Sequence, residues 1–138
     1  MIGILIIAHG NLGESLIQCV SHVLGKIPPQ LAHFAVGTDI DPADLLPQAK
    51  QLLEKLDTGN GVIVLSDMYG ATPCNLVTKL IAPNHVEGVA GVNLPMLVRV
   101  LNYRDKPLKI CLDKAVSGGR DGVVHFTKTG CDHHDKAA

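Results

Sequence analysis

The strongest indication of the fold is the stretch Gly3-Ile4-Leu5-Ile6-Ile7-Ala8, near the start of the chain. Every residue after the glycine is apolar, so both faces of this segment must be covered, which is typical of the central strand of a parallel sheet. Further apolar runs lie at residues 31–36, 61–66 and 86–92. Together the runs predict a parallel sheet buried on both sides.

Segments with the apolar spacing of helices separate these strands. They occupy residues 12–24, 41–56, 72–81, 95–103 and 107–116. A last short strand is expected at residues 122–127. Pro47 lies inside the second helical segment and predicts a late helix start or a kink. The alternation predicts an α/β fold: an open, doubly wound, mostly parallel sheet of order 2-1-3-4 with helices on both faces.

Length and composition limit the kind of protein that carries this sheet. A chain of 138 residues, 46% hydrophobic and 18% charged, is expected to form one domain at residues 1–128. The polar tail at residues 129–138 is expected to be disordered. A net charge of −1 and 3% aromatic residues exclude non-specific binding to nucleic acid or to an anionic membrane.

Cysteine usage and the N-terminus indicate a cytoplasmic protein. The 4 cysteines form no C-x-x-C pair, and a chain of this length does not need disulfides. The apolar run at the N-terminus is too short for a signal peptide or a membrane span, so no direct membrane insertion is expected.

The polar tail contains one group of residues with metal-binding side chains. These are Cys131, Asp132, His133 and His134. Metal sites hold their ligands on a fixed framework, which a disordered tail does not offer. We therefore predict no metal and no other cofactor.

Chemistry is expected at the carboxyl ends of the strands, where open parallel sheets bind ligands. His9 follows the first strand and Asp67 follows the third. These strands are neighbours in the order 2-1-3-4, so His9 and Asp67 should lie side by side. A carboxylate that accepts Nδ1–H leaves Nε2 bare as a nucleophile or base.

The segment Gly70-Ala71-Thr72 leads into the third helix. Free N–H groups and the helix dipole at that position favour a phosphate-like anion, and Thr72 can cap the helix or donate its hydroxyl to the anion. With His9 and Asp67, this arrangement describes phosphoryl transfer through a phosphohistidine. The ordinary alternatives are a loop histidine, a loop-capping aspartate and a simple helix start.

Three motifs in the same order resemble the IIA component of the mannose-type sugar phosphotransferase system. They are AHG at residues 8–10, DMYGATPCN at 67–75 and GVNLPML at 91–97. The segment SGGRDGV at 117–123 also resembles the end of that family, and the likeness covers residues 2–126. The phosphotransfer subunit of dihydroxyacetone kinase shares the fold, but DMYGATPCN is more similar to the mannose type.

The resemblance implies roles for single residues. His9 would accept a phosphoryl group from the phosphocarrier HPr and pass it to a IIB component. Asp67 would bond the other ring nitrogen. Thr72 stands where the family usually has serine near the phosphate. Because no linker or IIB domain follows the IIA-like part, the IIB partner is expected to be separately encoded. The protein is expected to associate with a membrane permease complex through that IIB partner.

The resemblance also implies a homodimer. An antiparallel C-terminal strand would be exchanged between the two subunits. Gly118-Gly119 is expected to let the backbone leave the fifth helix, so that residues 122–127 can reach the partner's sheet.

Two other functions remain open from the sequence. A regulatory module would signal by its phosphorylation state without transport. A phosphohistidine hydrolase or mutase would need arginines to hold a substrate phosphate, and the nearest, Arg99 and Arg104, fall in a predicted helix. Met68, Tyr69 and Met96 could form an apolar docking rim for partner proteins, or they could pack in the core.

Overall fold

A computed structural model describes residues 1–37 and 41–128. The strands are β1 (Gly3–His9), β2 (Leu31–Val36), β3 (Val62–Ser66) and β4 (Val86–Ala90). The helices are α1 (Leu12–Leu24), α2 (Pro42–Leu56), α3 (Thr72–Leu80), α4 (Leu94–Asn102) and α5 (Leu108–Asp121). The tail at residues 129–138 lies outside the described residues.

The sheet is parallel and has the order β2-β1-β3-β4, as the sequence predicts. β1 lies in the middle and pairs with β2 on one side and β3 on the other. Ile7 is aligned with Phe34 of β2 and with Ser66 of β3. The side chains from Ile4 to Ile7 are fully buried, which explains the continuous apolar run.

Alternate residues of β1 point into two different cores. Ile4 and Ile6 pack with residues of α1, α4 and α5 on one face of the sheet. Leu5 and Ile7 pack with residues of α2 and α3 on the other. This period of two along the strand produces the predicted doubly wound fold.

The expected end of the fifth helix at Val116 is wrong. α5 continues to Asp121, and Gly118 and Gly119 are buried inside it. A Cβ on Gly118 would lie 2.8 Å from the Cβ of Arg99, and one on Gly119 would lie 2.8 Å from the Cε of Met96. The glycine pair therefore lets α5 approach α4 closely, instead of releasing the backbone from the helix.

The predicted strand at residues 122–127 does not join this chain's sheet. Residues 123–127 have no strand assignment, and Val123, Val124 and Phe126 are largely exposed. At the outer edge of β4, an isolated antiparallel bridge joins Val86 to Ala82, and no other strand of the described chain pairs with this edge.

The second helix begins where residues 41–42 predict, so the late start offered as one of two explanations for Pro47 is wrong. α2 begins at Pro42, where the carboxylate of Asp41 accepts the N–H of Ala43 at 3.0 Å. Pro47 lies inside the helix, about one turn from this start. The cap and Pro42 in the first turn determine where α2 begins.

Arg104 is a buried cation at the amino ends of the strands. Its guanidinium donates to the carbonyl of Ile2 from Nε at 3.0 Å and from Nη2 at 2.9 Å, to Pro29 at 2.6 Å and to Gln30 at 2.7 Å. Ile2 precedes β1, and the other two carbonyls precede β2. Burial lowers the pKa of Arg104 from its usual value. The side chain joins the end of α4 to both strands.

We expect Arg104→Ala to lower the free energy of unfolding by about 2–4 kcal/mol, because three main-chain carbonyls lose charged donors. Urea denaturation followed by circular dichroism measures this. The control is Lys50→Ala, which removes an exposed cation of α2 and should change stability by less than about 0.5 kcal/mol. Equal stabilities for the two variants would contradict a structural role for Arg104.

Candidate functional site

His9 and Asp67 lie together at the carboxyl ends of β1 and β3. Nδ1 of His9 is 2.6 Å from Oδ2 of Asp67, and the backbone N–H of His9 donates to the same oxygen at 3.0 Å. The side chain of His9 is 46% exposed and that of Asp67 is 13% exposed. The ring is therefore held at one nitrogen and accessible to solvent.

The carboxylate of Asp67 is fixed by more than the ring. Its Oδ1 accepts the backbone N–H of Met68 at 2.8 Å. Burial raises the pKa of Asp67, but the hydrogen bonds from the backbone and ring of His9 and from Met68 outweigh it, so the pKa lies below its usual value. Asp67 is thus ionised at neutral pH.

An ionised carboxylate can only accept, so Nδ1 of the neutral His9 ring carries the proton. Nε2 then keeps its lone pair, and it has no hydrogen-bond partner among the described residues. The two backbone donors to Asp67 have no signature in the sequence, because any residue other than proline at those positions supplies an N–H.

The loop after Asp67 turns sharply into α3. Gly70 has φ +85°, which favours glycine, and the N–H of Ala71 donates to the carbonyl of Met68 at 3.4 Å. Ala71 is the N-cap of α3, and Thr72 is the first helical residue. The expectation that Thr72 could cap this helix is therefore wrong, and its hydroxyl bonds no described residue.

Two helix N-termini next to this pair lack side-chain caps. These are the starts of α1, at Asn11, and of α3, at Ala71. By contrast, side chains of Asp41 and Asn93 cap α2 and α4. Uncapped N–H groups at a helix start are available to an anion, which is the property that the sequence predicts for Gly70, Ala71 and Thr72.

The arginines considered for a substrate phosphate do not surround His9. Arg99 pairs with Asp121 at 2.8 Å and donates to Ser117. Arg104 lies at the opposite end of the sheet, bonded to carbonyls. The structure therefore provides neither arginine for a phosphate on His9.

The three residues considered for an apolar docking rim, Met68, Tyr69 and Met96, differ in their exposure to solvent. Met96 is buried in the core, whereas Met68 and Tyr69 are exposed.

Another histidine, His85, contacts the carboxylate of Asp57 at the amino ends of the strands. The sequence did not reveal this partner.

Among residues 1–37 and 41–128, no three histidine, cysteine or carboxylate side chains are grouped closely enough to hold a metal ion. Within the same part of the chain, none of the helices has the length and hydropathy needed to cross a membrane.

Residues 3–114 match the family model described as PTS system fructose IIA component, where PTS is the sugar phosphotransferase system. The chain belongs to this IIA family. It is 34% identical over 126 residues to the PTS system mannose-specific EIIAB component of Escherichia coli K12, covering 88% of this chain but only 38% of that protein. It is 31% identical over 107 residues to the PTS system fructose-specific EIIA component of Bacillus subtilis, covering 76% and 72% of the two chains.

Solved structures of PTS IIA proteins have the same fold as this IIA chain. The phosphotransferase system component EIIA from Streptococcus agalactiae superimposes with a TM-score of 0.80 at 22% identity, over 91% of this chain and 97% of the other. The mannose/sorbose specific IIA subunit from Enterococcus faecalis gives 0.79 at 18% identity, over 91% and 95%.

We expect Asp67→Ala to release the His9 ring from the Nδ1–H tautomer, because Asp67 is the acceptor for that proton among the described residues. ¹⁵N NMR of the imidazole nitrogens measures the tautomer at a pH high enough for the histidine rings to be neutral. The parent should show an unprotonated Nε2, and the variant a mixture.

His22, an exposed histidine of α1 with no described ring partner, serves as the internal control and should give the same spectrum in both proteins. A variant that keeps His9 wholly in the Nδ1–H form would show that Asp67 does not set the tautomer.

Proposed function

We propose that this protein is a cytoplasmic IIA component that accepts a phosphoryl group from phospho-HPr on Nε2 of His9. It then passes the group to a separately encoded IIB component, for sugar uptake or its regulation. The observation that carries this proposal is the His9 ring, bonded through Nδ1 to an ionised Asp67 and exposed at Nε2.

The chemistry is the transfer of a phosphoryl group from the carrier to His9. The lone pair of Nε2 attacks the phosphorus, and the new N–P bond forms as the bond from phosphorus to the carrier breaks. The phosphorylated ring keeps the proton on Nδ1 and gains positive charge, which the Asp67 carboxylate stabilises. Such transfer depends on positioning and electrostatics more than on proton movement.

We propose that Gly70, Ala71 and Thr72 hold the transferred phosphoryl group. The uncapped start of α3 supports this, because the N–H groups of Gly70 and Thr72 have no acceptor among the described residues and can donate to phosphate oxygens. The N–H of Ala71 already donates to the carbonyl of Met68 at 3.4 Å, so it would have to exchange that bond for the phosphate. The Thr72 hydroxyl can add a further hydrogen bond. Transfer from His9 to the IIB component reverses the same steps.

A hydrolase or mutase is disfavoured by the same geometry. Enzymes that act on small phosphate esters hold the substrate phosphate with bidentate arginines, and both arginines considered for this role are bonded elsewhere. A module that signals by its phosphorylation state would use the same acceptor, so regulation remains part of the proposal.

The first prediction for this function is that His9→Ala accepts no phosphate. The substitution should leave the fold intact because the ring is exposed and outside both cores. Incubation with phosphoenolpyruvate, the first enzyme of the system and HPr, followed by mass spectrometry, measures an acid-labile phosphate.

His22→Ala is the matched control and should be phosphorylated like the parent. In the same assay Asp67→Ala should be slower by at least about tenfold, because the ring loses its orientation and its countercharge. Phosphorylation of His9→Ala would contradict the proposal, and release of free phosphate from small esters would favour the hydrolase.

We also propose that the protein is a homodimer in which residues 122–127 add as an antiparallel strand to the partner's β4. Two observations support this: Val124 and Phe126 are exposed, and the outer edge of β4 pairs with no strand of the described chain beyond the bridge at Val86. An open sheet edge and exposed apolar residues both favour association. A groove of about 330 Å³ lies beside that edge, lined in part by Val89, Met96 and Val116.

The dimer proposal predicts that Phe126→Asp converts the dimer to monomers, since a charge would enter the apolar contact between subunits. Size-exclusion chromatography with light scattering gives the mass. Val23→Asp places the same charge on an exposed apolar residue of α1 and should leave the dimer intact. A parent protein that elutes as a monomer would contradict the exchange without affecting the role of His9.

A further inference from the structure

The side chain of Asn93 caps two helices at once. Its Oδ1 accepts the N–H of Met96 at 2.9 Å, which caps the start of α4. Its Nδ2 donates to the carbonyl of Gly119 at 3.1 Å, in the last turn of α5. Asparagine suits this place because its amide carries the acceptor and the donor on two separate atoms.

The carbonyl of Gly119 relies on this side chain for a donor. The N–H groups of Gly122 and Val123, which follow the helix, donate to the carbonyls of the residues on either side of Gly119. Gly119 is buried, and a buried carbonyl that loses its donor costs free energy. The bond from Asn93 therefore holds the last turn of α5 against the start of α4.

The turn that leads into Asn93 also holds the main chain of Asp67. The N–H of Gly91 donates to the carbonyl of Asp67 at 3.1 Å. The N–H of the next residue, Val92, donates to the carbonyl of Ser66 at 2.9 Å. These two bonds extend the contact with β3 beyond the end of β4, so the position of Asp67 is tied to a turn that Asn93 ties to α5.

The contact between Asp67 and the His9 ring depends on this main-chain position. The carboxylate lies 2.6 Å from Nδ1 of the ring and accepts the backbone N–H of His9 as well. A shift of the main chain of Asp67 would move the carboxylate and turn the ring. Small displacements of a positioned group lower the rate of a reaction strongly.

We propose that Asn93 is a positioning residue for phosphoryl transfer. By bonding α5, it fixes the turn at Gly91, and this turn holds Asp67 against the His9 ring. The inference rests on the proposed function. It connects the end of α5, from which residues 122–127 continue, to the ring that accepts the phosphoryl group.

Amide hydrogen exchange under native conditions tests the connection itself. Asn93→Ser keeps a good side-chain cap for α4, but its hydroxyl is too short to reach Gly119 as well. The N–H groups of Gly91 and His9 should exchange faster, each by at least about threefold more than the N–H of Ile6. The Ile6 amide lies in the middle of β1 and reports opening of the whole domain.

Kinetics with phospho-HPr test the consequence for the reaction. Asn93→Ser should lower kcat about fivefold, a size typical of changes in coupling between distant groups. KM should stay within about twofold, because orientation of the ring acts on the transfer step. A loss of stability alone leaves kcat unchanged while the protein stays folded, which circular dichroism checks.

Asp121→Asn is the matched control. It weakens the contact of Asp121 with Arg99, 2.8 Å long, which joins the same turn of α5 to α4 without involving the turn at Gly91. Its kcat and the exchange of both site amides should stay within about twofold of the parent. Asn93→Asp is a second test, because it keeps the size and the cap but lacks the donor, and it should loosen the same two amides.

The outcomes separate this inference from the proposed function. A parental kcat in Asn93→Ser would overturn the inference and leave the function standing. Equal effects of Asn93→Ser and Asp121→Asn would also overturn it, since any weakening between α4 and α5 would then be enough. The exchange measurement needs no phosphate, so a parent that takes none from phospho-HPr overturns the proposed function while the two amides still decide the connection.

Discussion

The parallel pairing of β1 with β3 is the interaction on which the rest of the structure depends. Because β1 is buried on both faces, its alternate residues support two cores, and the helices of both layers pack against them. The same register brings the end of β1 beside the residue that follows β3, so the His9 ring meets the Asp67 carboxylate. A shift of one residue would turn the core side chains to the wrong faces and separate this pair.

The two ends of the sheet satisfy their polar groups differently. At the amino ends, Arg104 donates to the carbonyls that precede β1 and β2, and Asp57 contacts His85. At the carboxyl ends, the starts of α1 and α3 have no side-chain caps, and Nε2 of His9 bonds no described residue. Charged side chains therefore stabilise the amino ends, while around His9 two helix starts and one ring nitrogen remain available to a ligand.

Sequence patterns were informative where local preference and tertiary packing agree, and misleading where they compete. Gly118 and Gly119 are poor helix formers, by up to about 1 kcal/mol each relative to alanine, so the pair suggested a helix end. In the folded chain their missing side chains let α5 pack against Arg99 and Met96 of α4, and this contact outweighs the local preference. Met68 and Met96 are the same residue type, yet one is exposed and the other buried.

The amino-acid sequence alone was enough to predict the four strands and the positions of His9 and Asp67 at strand ends, because apolar periodicity and strand-end positions are local properties that follow from burial. The sheet order, and with it the proximity of His9 to Asp67, was predicted from the strand order typical of doubly wound folds. Four features became visible only in the folded chain: the backbone donors to Asp67, the exposed ring nitrogen of His9, the buried hydrogen bonds of Arg104 and the continuation of α5 to Asp121. These depend on distances between segments that are remote in the chain. Such distances are established only when close packing places the segments together.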